Sequence, residues 1–174
     1  TVNTAHLTIA YLGQRNGHDT IAESIKDPIV RDVLARVMEE TSMALVTKHG
    51  FDSSEHAKYV HRTLLRLANP LLDDQVERVG RQPLRKLSRL ERLIGPAALL
   101  AELGEEPSAL LEVVEASLDF MSQNDPEVAL LNSKLGALSP SEFASQVCGI
   151  TPDHPLAISL EQAIAKHQGT LSHK

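Results

Sequence analysis

The sequence predicts an all-α fold, and three observations carry that expectation. Capping residues stand directly before prolines at Asp27-Pro28, Asp125-Pro126 and Ser139-Pro140. That order starts helices, because proline at the first helical position lacks only an N–H that would have no intrahelical partner. No segment alternates apolar and polar residues long enough to read as a strand. Aromatic residues make up 3% of the chain, too few for a β-rich core, so aliphatic residues and alanine must carry the packing. These signals amount to about eight or nine helices.

In chain order, the apolar pattern is already running at Val2. On a helix Asn3 and His6 would share a face, with Ala10 and Gly13 close to the same line and leaving room beside it. Leu12-Gly13 and Asn16-Gly17 read as turn material. After Pro28, the residues Ile29, Val30, Val33, Leu34, Val37 and Met38 recur at helical spacing, and Gly50 supplies a left-handed stop behind Lys48 and His49. Asp52 and Glu55 have the spacing of a capping box, and Ala57, Val60, Leu64 and Leu67 continue on one face until Asn69-Pro70. Residues 69 to 88 mix charge, glycine and proline (Asp73, Asp74, Arg78, Gly80, Pro83) and read as a loop entering a short helix. From Ser108 to Met121 an apolar stripe runs through Leu110, Leu111, Val113, Val114 and Leu118. Ser139 and Glu142 form a second capping box before Phe143 and Val147, and a last helix starts at about Pro155 with Leu156, Leu160, Ala163 and Ile164. The segment after Gln168 is expected to fray.

With 174 residues, 42% hydrophobic and 23% charged, residues 1–174 read as one ordinary domain with a core that needs no staples. No apolar run approaches the length of a membrane span, and the start lacks the basic-then-apolar order of a secretory signal, so no membrane partner is expected. A single cysteine, Cys148, forms no internal disulfide, which fits a reducing, cytoplasmic setting. The first residue is Thr1 rather than Met, and a piece of a longer chain is expected. The histidines outside position 6 lack the i, i+4 pairing with a nearby carboxylate that a helical metal site uses, so no metal is expected. No glycine-rich phosphate loop follows a strand, so the chain carries no dinucleotide fold of its own.

The net charge of −6 conceals a local excess of positive charge. Arg78, Arg81, Arg85, Lys86, Arg89 and Arg92 place six of the 17 basic residues within 15 positions. Five are arginine, whose planar fork grips carboxylate or phosphate oxygens through two parallel hydrogen bonds. Gly80 would let backbone approach a ligand, and Pro83 would start a helix whose first amides add to the positive field. An anion site is one reading; a solvated basic face paired with Glu77, Glu91 and the acids around Asp73 is the other. A small anion fits better than nucleic acid, and no nucleic-acid partner is expected, given the acidic balance, the scarce aromatics and the small footprint.

Asn3 and His6 also read two ways. An amide and an imidazole side by side can hydrogen-bond an alcohol, a carbonyl or an alkoxide. A capping asparagine followed by an ordinary histidine has the same spacing. Residue type does not separate the two.

Together the segments resemble one family. Thr1-Val2-Asn3-Thr4-Ala5-His6, followed by Ala10-Tyr11-Leu12-Gly13, resembles the start of the C-terminal domain of the polyol-specific long-chain dehydrogenases. Val76-Glu77-Arg78-Val79-Gly80-Arg81-Gln82-Pro83-Leu84-Arg85-Lys86-Leu87-Ser88 resembles that family's version for phosphorylated polyols, and Val33-Leu34-Ala35-Arg36-Val37-Met38-Glu39-Glu40 is similar too. The resemblance runs from Thr1 to about Ile94; beyond it only helical character and length match.

The resemblance implies a multi-helical C-terminal substrate domain of a two-domain dehydrogenase. The N-terminal Rossmann domain, absent from this chain, would bind NAD. It also implies a catalytic lysine in the pattern Lys-x-x-x-x-Asn-x-x-His, of which Asn3 and His6 match the last two members. That lysine would lie upstream of Thr1. Asn3 would hold the reacting oxygen as charge develops and His6 would orient the same hydroxyl. Arg78 and Lys86 match basic residues that reach the substrate in related enzymes, while Arg81 and Arg85 are the candidates for a phosphate. The implied partners are a phosphorylated sugar or polyol and the Rossmann domain of the same parent. A parent so built oxidises a polyol phosphate with NAD and needs no metal, and the isolated piece is expected to be inactive. A neutral-polyol or hexuronate oxidoreductase is the neighbouring alternative. A non-catalytic helical module binding an acidic partner is the distant one.

Overall fold

The computed structural model describes residues 1–69 and 74–171; Pro70 and Asp73, both used in the sequence reading, lie outside them. The described residues form eleven helices and no named strand: α1 (Val2–Arg15), α2 (Ile21–Ser24), α3 (Pro28–His49), α4 (Ser53–Leu67), α5 (Val76–Gly80), α6 (Pro83–Lys86), α7 (Ile94–Glu102), α8 (Ser108–Leu118), α9 (Pro126–Ala137), α10 (Pro140–Gln146) and α11 (Ala157–Leu171). The all-α expectation holds. Two compact units, Thr1–Gly80 and Arg81–Lys174, divide the chain.

In the first unit α1 is the central helix, packed by α2, α3 and α5 and more lightly by α4. Its burial is almost continuous from Thr4 to Gly13, with Ala5, Ile9 and Ala10 fully covered. Gly13 lies inside this helix rather than in a turn. A Cβ there would come within 2.0 Å of Ser24 Oγ, so glycine is what lets α2 approach. Asn16 and Gly17 do form the turn, Gly17 taking φ of 83°. Asp27 starts α3 by accepting the Ile29 N–H at 2.8 Å, and Gly50 ends it in the left-handed conformation at φ of 64°. Asp52 starts α4 by accepting the Glu55 N–H at 2.9 Å. Of the stripe predicted for α4 only Leu67 is buried; Val60 and Leu64 are half-buried and Ala57 is exposed, because α4 is an outer helix resting on α3.

The stretch from 74 to 88 contains two short helices where one was expected. Backbone bonds from Ile21 N–H to Asp74 O and from Val76 N–H to Asp19 O, each 2.9 Å, flank an isolated antiparallel bridge between Thr20 and Gln75. The Tyr11 hydroxyl donates to Gly80 O at 2.9 Å and ties α5 to the central helix.

In the second unit α8 is the buried helix, with Ala109, Leu110, Val113 and Val114 fully covered and α7 and α11 packed on it. It ends at Leu118, short of the predicted Met121, which is exposed. Ser139 and Glu142 form the expected reciprocal capping box on α10. The last helix begins two residues later than predicted, after a turn in which the His154 ring accepts the Leu156 N–H at 3.1 Å. Phe120, Phe143 and Cys148 complete the core, and burial pushes the Cys148 thiol up to about 12, which leaves it unreactive.

Candidate functional site

The candidate residues divide between the units: Asn3, His6 and Arg78 in the first, Arg81, Arg85 and Lys86 in the second.

Asn3 and His6 lie three apart near the start of α1, as predicted, with Asn3 exposed and His6 half-buried. The room expected further along that line is filled: Ala10 is fully buried and Ser24 stands against Gly13. What faces His6 instead is a carboxylate. Asp74 Oδ2 is 3.1 Å from His6 Nε2, and Asp74 Oδ1 takes the Arg78 guanidinium four residues further on. Backbone bonds from Ile21 N–H to Asp74 O and from Val76 N–H to Asp19 O hold the main chain on either side of that carboxylate. Asp74 was visible as the i, i+4 partner of Arg78, but its link to His6 spans most of the unit.

The basic cluster turns out partly self-neutralised. Beyond the Arg78–Asp74 pair, Arg85 and Arg92 share Glu91 at 3.1 and 2.7 Å, and Arg89 meets Glu102 at 2.7 Å. Glu102 also contacts His154 at 3.1 Å. Arg85 additionally donates its Nε to Gln82 Oε1 at 3.1 Å. Arg81 is exposed and, among the described residues, makes neither an ion pair nor a hydrogen bond.

Gly80 is buried and its carbonyl accepts the Tyr11 hydroxyl at 2.9 Å. Pro83 does open α6, yet the amides there face acids: Gln82 N–H donates to Asp125 Oδ2 and Arg85 N–H to Glu127 Oε2 at 3.2 Å. Gln82 itself takes the left-handed conformation at φ of 60°. Positive charge in this segment therefore comes from side chains.

Lys86 is the unusual member. Its side chain is 6% exposed, and burial, reinforced by Arg85, Arg81 and Arg92 and opposed by Asp125, pushes its ammonium down to about 8. A cation held among cations gains from any anion brought to it, since the anion offsets both desolvation and repulsion. Among the described residues no group of three or more His, Cys, Asp or Glu side chains is gathered to hold a metal. No helix of these residues is long and apolar enough to cross a membrane. With no strand leading into a glycine-rich turn, they do not build a Rossmann cradle for a dinucleotide.

Comparison with known proteins places these observations. Residues 1–139 match the family model described as the mannitol dehydrogenase C-terminal domain. Across 97% of its length the chain is 45% identical to mannitol-1-phosphate 5-dehydrogenase of Paenarthrobacter aurescens, covering 44% of that protein. It is 44% identical over the same share to mannitol-1-phosphate 5-dehydrogenase of Aspergillus clavatus, again covering 44% of the relative. The chain thus spans less than half the length of these relatives, and the similarity continues well past Ile94. Among solved structures, mannitol 2-dehydrogenase of Pseudomonas fluorescens in ternary complex with NAD and D-mannitol superposes with a TM-score of 0.72 at 20% identity, covering 98% of this chain and 36% of that one.

Proposed function

The chain belongs to the mannitol dehydrogenase C-terminal domain family, and from that premise we propose that it is the substrate domain of an NAD-dependent mannitol-1-phosphate 5-dehydrogenase. The parent would interconvert mannitol 1-phosphate and fructose 6-phosphate. The observation that carries this reading is the 45% identity to a mannitol-1-phosphate 5-dehydrogenase across nearly the whole chain.

The chemistry fits the residues. A secondary alcohol loses its proton to a base while its hydride leaves for the nicotinamide, so the protein must hold the alcohol and stabilise a transient alkoxide. Asn3 holds the oxygen through its amide N–H, and His6 orients the same hydroxyl. The base is a lysine of the parent five residues before Asn3, and the remainder of the parent holds NAD. Arg81 and Arg85 take the phosphate, and Lys86 and Arg78 are the further basic candidates for contact with the substrate. Arg81 is the stronger phosphate ligand, because Arg85 already faces Glu91 and Gln82.

That same pairing favours a second reading, a neutral polyol or a hexuronate as substrate, since a cluster largely met by its own carboxylates needs less charge from a ligand. Assaying the full-length parent with NAD on mannitol 1-phosphate, mannitol and a hexuronate separates the two. The expected result is fastest turnover of the phosphate ester, with fructose 6-phosphate as product, and none by this chain alone. Preference for mannitol or the hexuronate establishes the second reading, and turnover by the chain alone contradicts both.

A further inference from the structure

Between the first half of α3 and the second half of α4 lies a pocket of about 480 Å³, which the turn after α2 also lines. We propose that this pocket binds an amphipathic organic anion, an acyl or aryl body carrying one carboxylate or phosphate head. The pocket shares no lining residue with the alcohol and phosphate candidates named above.

Part of the lining is apolar. Ile25 and Leu34 are buried, while Leu64 is only half-buried and Leu65 is 62% exposed, so α4 turns leucine toward open space here rather than toward core. The rest is cationic: Lys26, Arg31 and His61 line the same pocket, each from a different element, and no acidic residue does. These three residues are exposed and, among the described residues, their side chains make no ion pair or hydrogen bond. The carboxylates beside Lys26 and Arg31 in sequence are engaged elsewhere. Asp27 is taken by His18 and Asn16, Asp32 by Arg36 at 3.2 Å, and Glu23 by the Thr20 N–H.

Charge complementarity selects the occupant. Lysine and arginine are charged at neutral pH and an imidazole offers a ring N–H, so the three together suit an acidic head group. The volume falls in the range of about 300–1,000 Å³ where small-molecule pockets lie, and an apolar lining with a few polar groups is their usual make-up. A neutral apolar ligand would leave the cations without compensation, and an inorganic anion would leave Leu64 and Leu65 facing water. One molecule with both parts answers both.

The test is calorimetric titration of the full-length parent with octanoate and, separately, octyl phosphate, with octanol as the uncharged control. Saturable one-to-one binding of at least one of the two anions is expected, and the tighter of them identifies the head group. Octanol should bind about tenfold more weakly or worse, the share of one charge-assisted hydrogen bond. Arg31→Gln and Leu65→Glu should each weaken the anion by about the same factor, the first by removing a donor and the second by placing a like charge beside the head. Arg62→Gln, on α4 but outside the lining, should leave binding unchanged. Both altered lining residues are exposed, and circular dichroism checks that the variants fold; should either fail, Lys26→Gln and Leu65→Ser take their places. No saturable binding of either anion overturns the proposal, as does octanol binding equally well or anion binding that either lining variant leaves unchanged.

Discussion

The backbone N–H of Gln82 donates to Asp125 Oδ2, 43 residues further along the chain. The other oxygen of Asp125 accepts the Glu127 N–H at 3.0 Å, so one carboxylate both caps α9 and steadies the left-handed Gln82 turn before α6. Replacing Asp125 with alanine removes both bonds. The expected loss is about 1–2 kcal/mol of stability, at the upper end for a helix cap, read as a lower urea midpoint. Asp125→Asn should retain only the share carried by one of the two bonds, because its single amide oxygen can accept one N–H while its NH2 group faces the other.

Lys86 makes stability depend on pH in the alkaline range. Its folded value of about 8 lies below the ordinary 10.5, so between those values the unfolded chain holds more protons than the folded one. Stability should therefore rise with pH from about 8 to 10.5, while below 8 both forms are charged and the full penalty stands. Urea denaturation across that window should show this slope, and Lys86→Met should flatten it.

Asp27 acts at the opposite end. Hydrogen bonds from the His18 ring, then from Asn16 and from the Ile29 N–H, hold its carboxyl at about 2, below the ordinary 3.8. The unfolded chain again binds the proton more readily, so the stabilisation is complete above about 4 and is lost as pH falls through 2. An acid titration followed by circular dichroism should show a shallower loss in Asp27→Asn, which starts less stable at neutral pH.

Much of the fold was legible because helix capping is local chemistry. Asp27-Pro28, Asp52, Asp125-Pro126 and Ser139 through Glu142 each start a helix where their side chains reach the next turn's amides. What escaped depends on contacts across the chain. Thr20 and Glu23 form a complete capping box, but the helix behind it lasts only four residues and has no periodicity to read. The short helices α5 and α6 exist because Tyr11 reaches Gly80 and Asp125 reaches Gln82. Gly13 read as a turn because nothing local reveals that Ser24 will pack against it.

The candidate site divides in the same way. The types and spacing of Asn3, His6 and the arginines were plain, and so was Asp74 as a neighbour of Arg78. That Asp74 also comes within 3.1 Å of His6, and that Arg81 alone among these arginines is left without a carboxylate among the described residues, required the folded chain.

The most direct measurement is the ratio of kcat/KM for mannitol 1-phosphate to that for mannitol, in the full-length parent and in its Arg81→Gln variant. A charge-assisted hydrogen bond to the phosphate is worth about ten- to hundredfold, so the parent should favour the phosphate ester and the variant should lose most of that preference through a higher KM. Equal losses on both substrates, or a ratio that Arg81→Gln leaves unchanged, would contradict phosphate recognition by this segment.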